Sequence, residues 1–334
     1  MMKKKVTLKD IADHCDLAAT TVSRILRGKS TYCSAAKIEM VKRIAREWDY
    51  RPNVGYNIMT GRDTNIAAVI FSQSRITQDD CCHNFYMQLA AALDERHFAS
   101  YTAIMDGDLK SQLCKIRDLD ERGCRNYIFI GSPAHYEEIF AYLERMKRSY
   151  VGYNCPHVPR FLMLDQTGML MKFKDIASAC GAVNYRFVSS LRNFESNILP
   201  RIPVKNREIF RRNLWEVPPT GLISGDSREW YFNSGKEIMR QVLTEAPEVD
   251  ALAFPSDFHV FGANAVLREN GKSGKIRLFG MGNAAASKFV QIPFTTAAFD
   301  VGKGVEKLLE QLENRGSWEM WLSGSVVEYN ISGE

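Results

Sequence analysis

The chain has 334 residues, of which 45% are hydrophobic and 25% are charged. This length exceeds one typical domain and is sufficient for a large buried core. The sequence has no run of 18 apolar residues, and its basic start, MMKKKVTLKD, lacks the apolar segment of a secretory signal. We therefore expect neither a transmembrane helix nor secretion.

The charge is distributed unevenly along the chain. Residues 1–62 carry 13 lysines and arginines against 6 acidic residues, whereas the remainder carries 31 against 33. A segment of net charge +7 attached to a nearly neutral remainder indicates that the segment binds a polyanion such as nucleic acid. Charge alone leaves open the alternative of a solvated basic surface.

The motifs of common enzyme and metal sites are absent from the sequence. The eight cysteines form no C-x-x-C pair and the six histidines are isolated. The sequence GKST at residues 28–31 lacks the first glycine of a P-loop, and neither H-E-x-x-H nor G-x-S-x-G occurs. We therefore expect no metal, no cofactor and no enzymatic activity. Scattered thiols are typical of a reduced, cytoplasmic protein.

Apolar residues at helical spacing predict three helices in the first 50 residues. Their apolar faces are formed by Leu8, Ile11, Ala12 and Cys15, by Val22, Ile25 and Leu26, and by Ile38, Val41, Ile44, Ala45 and Trp48. Thr7 and Ser34 precede the first and third helices as N-caps. Because only residues 16–18 separate the first two helices, they must cross steeply, as in a helix-turn-helix.

The second helix of such a pair presents its polar face to solvent and can enter the major groove of DNA. Arg24 has the forked donors that bind guanine O6 and N7, and Thr20 can contact a thymine methyl group or a phosphate. The candidate DNA-binding residues of this segment are Thr7, Ala19, Thr20, Thr21, Ser23, Arg24 and Arg27. A solvated helix arginine is the alternative interpretation of Arg24.

Residues 52–62 have the pattern of a short helix or linker. Pro52 ends the third helix, and Asn53 is placed to cap a helix over residues 54–60 that Gly61 would end. Met59 is an apolar side chain that can wedge between base steps in the minor groove. A plain linker with Met59 packed on the next domain is the alternative.

The run VTLKDIADHCDLAATTVSRILRG, followed by SAAKIEMVKRIAREWDYRPN, resembles the DNA-binding domain of the LacI/GalR (lactose/galactose repressor) family. The shared elements are TLKDIA, TTVSR, the apolar face of the third helix, the Y-x-P-N exit and a hinge that ends at Gly61. The resemblance implies a homodimeric transcriptional regulator, by family habit a repressor, that reads a pseudo-palindromic operator in double-stranded DNA. It also implies that the hinge, with Asn53, Tyr56 and Met59, enters the minor groove.

Two residues depart from the family pattern. Ala18 stands where a capping serine is common, and Tyr56 stands where the hinge has a small alanine. The first departure removes an N-cap worth about 1 kcal/mol, and the bulk of Tyr56 conflicts with the usual docking of the hinge.

Residues 63–334 alternate between strand and helix patterns, which is typical of doubly wound parallel sheets. Strands are predicted at 65–73, 100–107, 125–133, 150–155, 251–257 and 276–283, and helices at 84–99, 109–124 and 134–149. The sequence thus predicts an all-α helix-turn-helix head (1–51), a hinge (52–62) and an α/β effector-binding and dimerisation domain (63–334).

A weaker resemblance covers this second domain, and it implies a periplasmic-binding-protein-like architecture of two lobes with a ligand cleft between them. Lobe one is expected at 63–157 plus 294–317, and lobe two at 158–293 plus 318–334. No heptad pattern follows the second domain, so we expect a dimer rather than a tetramer joined by tails.

The resemblance also implies a set of effector-binding residues. Carried over by position, they are Ser72, Ser132, Asp165, Arg207, Trp230, Asp257 and Asn283. Gly282 and Asn283 replace a usual pair of aspartates, and the element around Arg207 lacks its glycine. These departures leave three alternatives open: a small carbohydrate-like effector, a regulator with a non-sugar effector or none, and a small-molecule binding protein or enzyme with an incidental basic head.

Overall fold

The computed structural model describes residues 6–26, 32–50, 64–74, 79–217, 227–290, 292–312, 314 and 316–329. The chain divides into two compact units, an N-terminal unit (Met1–Thr64) and a C-terminal unit (Asn65–Glu334). No helix among these described residues is long and apolar enough to span a bilayer.

The N-terminal unit consists of three short helices around a small apolar core. They are α1 (Leu8–Cys15), α2 (Ala19–Leu26) and α3 (Ala35–Glu47). Ile11, Val22 and Val41, one residue from each helix, are completely buried. Between α1 and α2, Asp16 adopts a left-handed conformation (φ 51°) and the Leu17 amide donates to the Ala12 carbonyl over 3.0 Å. The three predicted helices and the short turn between the first two are confirmed.

Thr7 begins α1 with a reciprocal capping box. The Thr7 hydroxyl accepts a hydrogen bond from the Asp10 amide at 3.2 Å, and the Asp10 carboxylate accepts one from the Thr7 amide at 2.7 Å. Ala18, before α2, offers no side-chain acceptor, and only its carbonyl accepts bonds from Thr21 and Val22.

We expect Thr7→Ala to destabilise the N-terminal unit by about 1 kcal/mol, because an amide in the first turn of α1 loses its acceptor. Ser34→Ala is the matched control: the Ser34 hydroxyl caps α3 through a longer bond, 3.4 Å from the Lys37 amide, and should matter less. Hydrogen exchange of the α1 amides measures the difference. Equal protection in the two variants would contradict a strong cap at Thr7.

The C-terminal unit contains two six-stranded sheets with helices on both faces of each. The strands are β1 (Ile66–Phe71), β2 (Ala99–Ile104), β3 (Asn126–Ile130), β4 (Ser149–Tyr153), β5 (Arg160–Leu164), β6 (Tyr185–Ser189), β7 (Leu214–Glu216), β8 (Ala251–Ala253), β9 (Arg277–Met281), β10 (Phe294–Phe299), β11 (Trp318–Leu322) and β12 (Gly324–Tyr329). The helices are α4 (Asp80–Glu95), α5 (Leu109–Glu121), α6 (Tyr136–Arg145), α7 (Gln166–Ala179), α8 (Arg207–Asn213), α9 (Ser227–Glu245), α10 (Asp257–Glu269) and α11 (Val301–Glu310). Short helical turns connect β6 to α8.

Each sheet forms the centre of one lobe. Lobe one has the strand order β11-β5-β4-β3-β1-β2, all parallel, and lobe two has the order β12-β10-β9-β8-β6-β7, in which β12 alone is antiparallel. Helices α4 and α11 cover one face of the first sheet, and α5 and α6 cover the other. The chain passes between the lobes three times, near Asp165, Asp300 and Ser323. The predicted α/β fold is confirmed.

The division of the chain between the lobes differs from the expected boundaries in three places. Strand β5 was expected in lobe two but pairs with β4, and β11 was also expected there but pairs with β5. Strand β10 was expected in lobe one but lies between β9 and β12 of lobe two. The reason is that a local strand pattern does not encode which sheet the strand joins; β11, for example, pairs with β5, which lies far away in the sequence.

Helices α9 and α10 of lobe two approach each other unusually closely. A Cβ atom added to Gly262 would lie 1.9 Å from the Phe232 carbonyl oxygen, and one added to Gly235 would lie 2.1 Å from the carbonyl oxygen of His259. Glycine is therefore required at both positions. The close approach brings the side chains of Trp230 and Tyr231, at the start of α9, against His259 in the first turn of α10.

Candidate DNA-binding surface and ligand cavity

The polar face of α2 is the candidate DNA-binding surface of the N-terminal unit. Ala19, Thr20 and Arg24 are exposed, while Thr21 and Ser23 are half-buried. Val22 and Ile25, on the opposite face, are buried against α1 and α3 and fix the orientation of α2. No acidic residue occurs in α2, so this helix itself presents only neutral and cationic side chains to a phosphate.

The structure thus brings five of the predicted DNA-binding residues together on one short helix. Thr7 lies apart from them as the exposed cap of α1, where the capping box already uses its hydroxyl. Arg27, Asn53, Tyr56 and Met59 lie outside the described residues, as does the predicted helix over residues 54–60.

A cavity of about 250 Å³ lies between the two lobes of the C-terminal unit. It occurs where parallel strands of both sheets end, which is the usual ligand position in open α/β folds. The described residues that line it are Asp79, Cys81, Asn154, Leu164, Gln166, Val188, Ser189, Ser190, Asn193, Val217, Trp230, Tyr231, Ser234, Pro255, His259, Met281 and Phe299.

Aromatic rings from α9 and α10 form one wall of this cavity. The His259 ring lies 4.9 Å from that of Tyr231 and 6.0 Å from that of Trp230, measured between ring centroids. Phe254 stacks on the imidazole, with the ring centroids 5.7 Å apart. His259 is only 3% exposed, and burial lowers the pKa of its imidazole to about 3. The ring is therefore neutral at physiological pH.

Lobe one contributes the start of α4 to the opposite wall. Asp79 caps α4 by accepting from the Cys82 amide at 2.9 Å, and its other oxygen accepts from the Tyr231 hydroxyl at 3.4 Å, which joins the lobes across the cavity. Burial, followed by the charge of Asp79, raises the pKa of the Cys81 thiol well above its ordinary value. Cys81 is therefore a protonated thiol that contributes a weak donor and apolar surface.

Asp257 does not line the cavity but braces the interior of lobe two. Its carboxylate is fully buried and accepts hydrogen bonds from the Ala284 amide (2.8 Å), the Ser287 hydroxyl (2.9 Å) and the Thr296 hydroxyl (2.6 Å). Burial raises the pKa of Asp257, and these three donors oppose that rise. The carboxylate thus connects α10 to the loop after β9 and to β10.

Asp165 and Arg207 are also engaged within the protein. Asp165 caps α7 through the Gly168 amide (3.0 Å) and pairs with Arg201 at 2.7 Å, and the Arg201 guanidinium lies 3.6 Å above the Trp321 ring. Arg207 donates to the carbonyls of Ile202 (3.0 Å) and Pro200 (3.1 Å). Neither side chain lines the cavity.

Three further predicted effector residues, Ser72, Ser132 and Asn283, follow strand ends without lining the cavity. Ser72 is buried after β1. Ser132 makes a 2.8 Å hydrogen bond with His157 Nδ1. Asn283 has a left-handed backbone (φ 49°) and accepts from the Tyr329 hydroxyl at 2.8 Å. Of the seven predicted effector residues, Trp230 alone is among the described residues that line the cavity.

Sequence reasoning missed most of the lining residues. Asn154 and Ser190 directly follow β4 and β6, and Pro255 lies just after β8, so the rule that ligands bind at the ends of parallel strands could have indicated them. His259 carries no such signal, because it lies inside a helix pattern of largely apolar residues.

Comparison with known proteins supports this interpretation of both units. The family model described as "Bacterial regulatory proteins, lacI family" matches residues 7–53. The HTH-type transcriptional regulator CelR of Thermobifida fusca is 25% identical over 321 residues, which cover 88% of this chain and 87% of CelR.

Solved structures share the fold over almost the full length. A CelR–cellobiose complex superposes with a TM-score of 0.61 at 19% identity, covering 98% of this chain and 100% of the other. The lac repressor dimer bound to operator and the anti-inducer ONPF also superposes with a TM-score of 0.61, at 18% identity, covering 99% of this chain and 100% of the other. Residues 7–53 thus match the lacI family model, and the chain shares the fold of these two regulators over almost its full length.

Proposed function

We propose that this protein regulates transcription by binding a pseudo-palindromic operator as a homodimer, and that a small carbohydrate-like effector in the inter-lobe cavity modulates that binding. The observation that carries the DNA-binding part is the polar face of α2, held outward by the core that α1 and α3 form. The net charge of +7 on residues 1–62 supplies non-specific attraction to DNA.

The hydrogen-bonding groups of the α2 side chains indicate which part of the DNA each side chain contacts. Arg24 reads a guanine in the major groove, and Thr20 contacts a thymine methyl group or a phosphate. Ala19 is small enough for close approach of the helix to the bases. Helix α3 adds net positive charge to the same unit, because it carries four lysines and arginines against two glutamates.

The cavity supports the effector part of the proposal. Hydroxyl, amide and imidazole groups there can hydrogen-bond a polyhydroxyl compound, while the Trp230 and Tyr231 rings offer a flat apolar surface. CelR, whose structure superposes on this chain, has been solved with cellobiose. A ligand that favours one arrangement of the lobes changes DNA affinity by its differential affinity for the two arrangements.

Selection of binding sites from random duplex DNA with the full chain tests the DNA-binding function. We expect an enriched site with two half-sites in inverted symmetry, and sedimentation of the complex as two chains per duplex. A pool without a shared motif would contradict sequence-specific binding, and a mass of four chains would contradict the dimer.

A regulator without an effector is the second candidate function. It is favoured by Asp257 and Asp165, whose carboxylates are occupied by protein donors and do not line the cavity. A thermal-shift screen against neutral sugars separates the two candidates, because a cavity ligand raises the unfolding midpoint. A sugar-induced rise that also changes operator affinity supports the effector function.

A further inference from the structure

His259 stands out among the cavity-lining residues because its buried Nδ1 atom has no hydrogen-bond partner among the described residues. The residue is 3% exposed. Buried polar atoms are almost always hydrogen-bonded, and a buried one without a partner costs about 1–3 kcal/mol. His259 also lines the cavity, so its imidazole lies where a ligand can approach it.

The surroundings of His259 determine which ligand groups suit it. Phe254 and Tyr231 pack against the imidazole and keep it in its neutral form. A neutral imidazole has one N–H donor and one lone-pair acceptor. A hydroxyl group satisfies either nitrogen, because it both donates and accepts, whereas a phosphate or carboxylate oxygen can only accept.

The charge of the cavity further restricts the ligand. Asp79 is its only charged lining residue, and no lysine or arginine lines it, among the residues that the structure describes. A pocket of about 30 Å³ that adjoins the Asp79 end adds Asp80 and Arg228, whose charges are opposite. An anionic group would thus lose its hydration beside a carboxylate without a lining cation to replace it.

We propose that His259 is a specificity-determining residue of the cavity: it hydrogen-bonds a hydroxyl of an uncharged polyhydroxyl ligand, and the cavity rejects phosphorylated and carboxylated forms of the same compound. This inference rests on the effector part of the proposed function. It adds the residue that recognises the ligand and the requirement that the ligand be uncharged.

The test compares matched ligand pairs and one isosteric variant. Calorimetric titration of the full chain uses cellobiose, glucose and ribose, each beside its terminally phosphorylated form. We expect at least one neutral sugar to bind and its phosphorylated partner to bind at least tenfold more weakly. His259→Phe, which keeps a ring against Phe254, should weaken binding of that neutral sugar at least tenfold.

Stability of the ligand-free variant separates recognition from a structural role. Because His259→Phe removes a buried nitrogen without a partner, the unfolding midpoint should stay the same or rise while affinity falls. If His259 had a purely structural role, His259→Phe would lower both the unfolding midpoint and the affinity for the sugar. His259→Gln retains an acceptor and a donor and should bind more tightly than His259→Phe. His83→Gln, on the exposed face of α4, is the control that should bind as the wild type does.

The outcomes distinguish this inference from the proposed function. Undiminished affinity in His259→Phe, or preferred binding of a phosphorylated sugar, would overturn the inference and leave the effector function standing. Absence of binding by all six compounds would overturn both the inference and the carbohydrate effector.

Discussion

Replacement of Arg24 by alanine should reduce affinity for the selected operator by about 1–3 kcal/mol at each half-site, or about 2–6 kcal/mol for a dimer on two half-sites. The physical reason is that a bidentate contact to a guanine edge is lost from an exposed arginine on α2. Specificity should relax at one base pair in each half-site. Fluorescence anisotropy with the operator, with operators changed at single positions and with random DNA measures both effects.

Arg43→Ala is the matched control for Arg24→Ala. It removes the same charge from the neighbouring helix α3, where the Arg43 side chain is exposed and pairs with Glu47 at 3.9 Å. We expect Arg43→Ala to weaken operator and random DNA alike, by the loss of one non-specific charge. If Arg24→Ala also weakens both kinds of DNA equally, Arg24 does not read a base.

Replacement of Asp257 by alanine should lower the free energy of unfolding of the C-terminal unit by about 3 kcal/mol. The carboxylate accepts three hydrogen bonds in the interior of lobe two, from Ala284, Ser287 and Thr296. Alanine leaves these donors without an acceptor and opens a small void. Denaturant unfolding of the full chain, followed by tryptophan fluorescence, reports this loss because four of the five tryptophans lie in the C-terminal unit.

Two variants calibrate the effect of Asp257→Ala. Asp257→Asn keeps the volume and one acceptor oxygen, so a smaller loss of about 1–2 kcal/mol is expected. Asp300→Ala removes an exposed helix cap that accepts from the Lys303 amide at 3.1 Å, and it should cost about 1 kcal/mol. A loss for Asp257→Ala no larger than that for Asp300→Ala would contradict its role as an internal brace.

Local sequence patterns predicted the elements of this fold well because those patterns record local physics. Apolar residues at helical spacing within each segment indicated three helices that share a core, and one residue from each, Ile11, Val22 and Val41, is fully buried. Continuous apolar runs such as residues 66–71 indicated strands that are buried on both faces. Membership of a sheet is a non-local property, and the pairing of Arg160 with Trp318 could not be obtained from either segment alone.

The ligand site was harder to predict than the fold for a different reason. A carboxylate such as that of Asp257 suits a ligand hydroxyl and an internal donor equally well, and only the positions of Ser287 and Thr296 decide between them. His259 lines the cavity because α9 packs closely against α10, and the sequence around His259 does not predict that packing.

The proposed regulation of transcription requires that the exposed face of α2 reads base sequence. Competition at fixed salt tests it most directly: the full chain is bound to a labelled duplex obtained by selection, and unlabelled duplexes of the selected and the scrambled sequence compete. We expect the selected sequence to compete at least about 10³-fold better, the lower bound typical of specific regulators. Equal competition by the two sequences would contradict sequence-specific binding by α2.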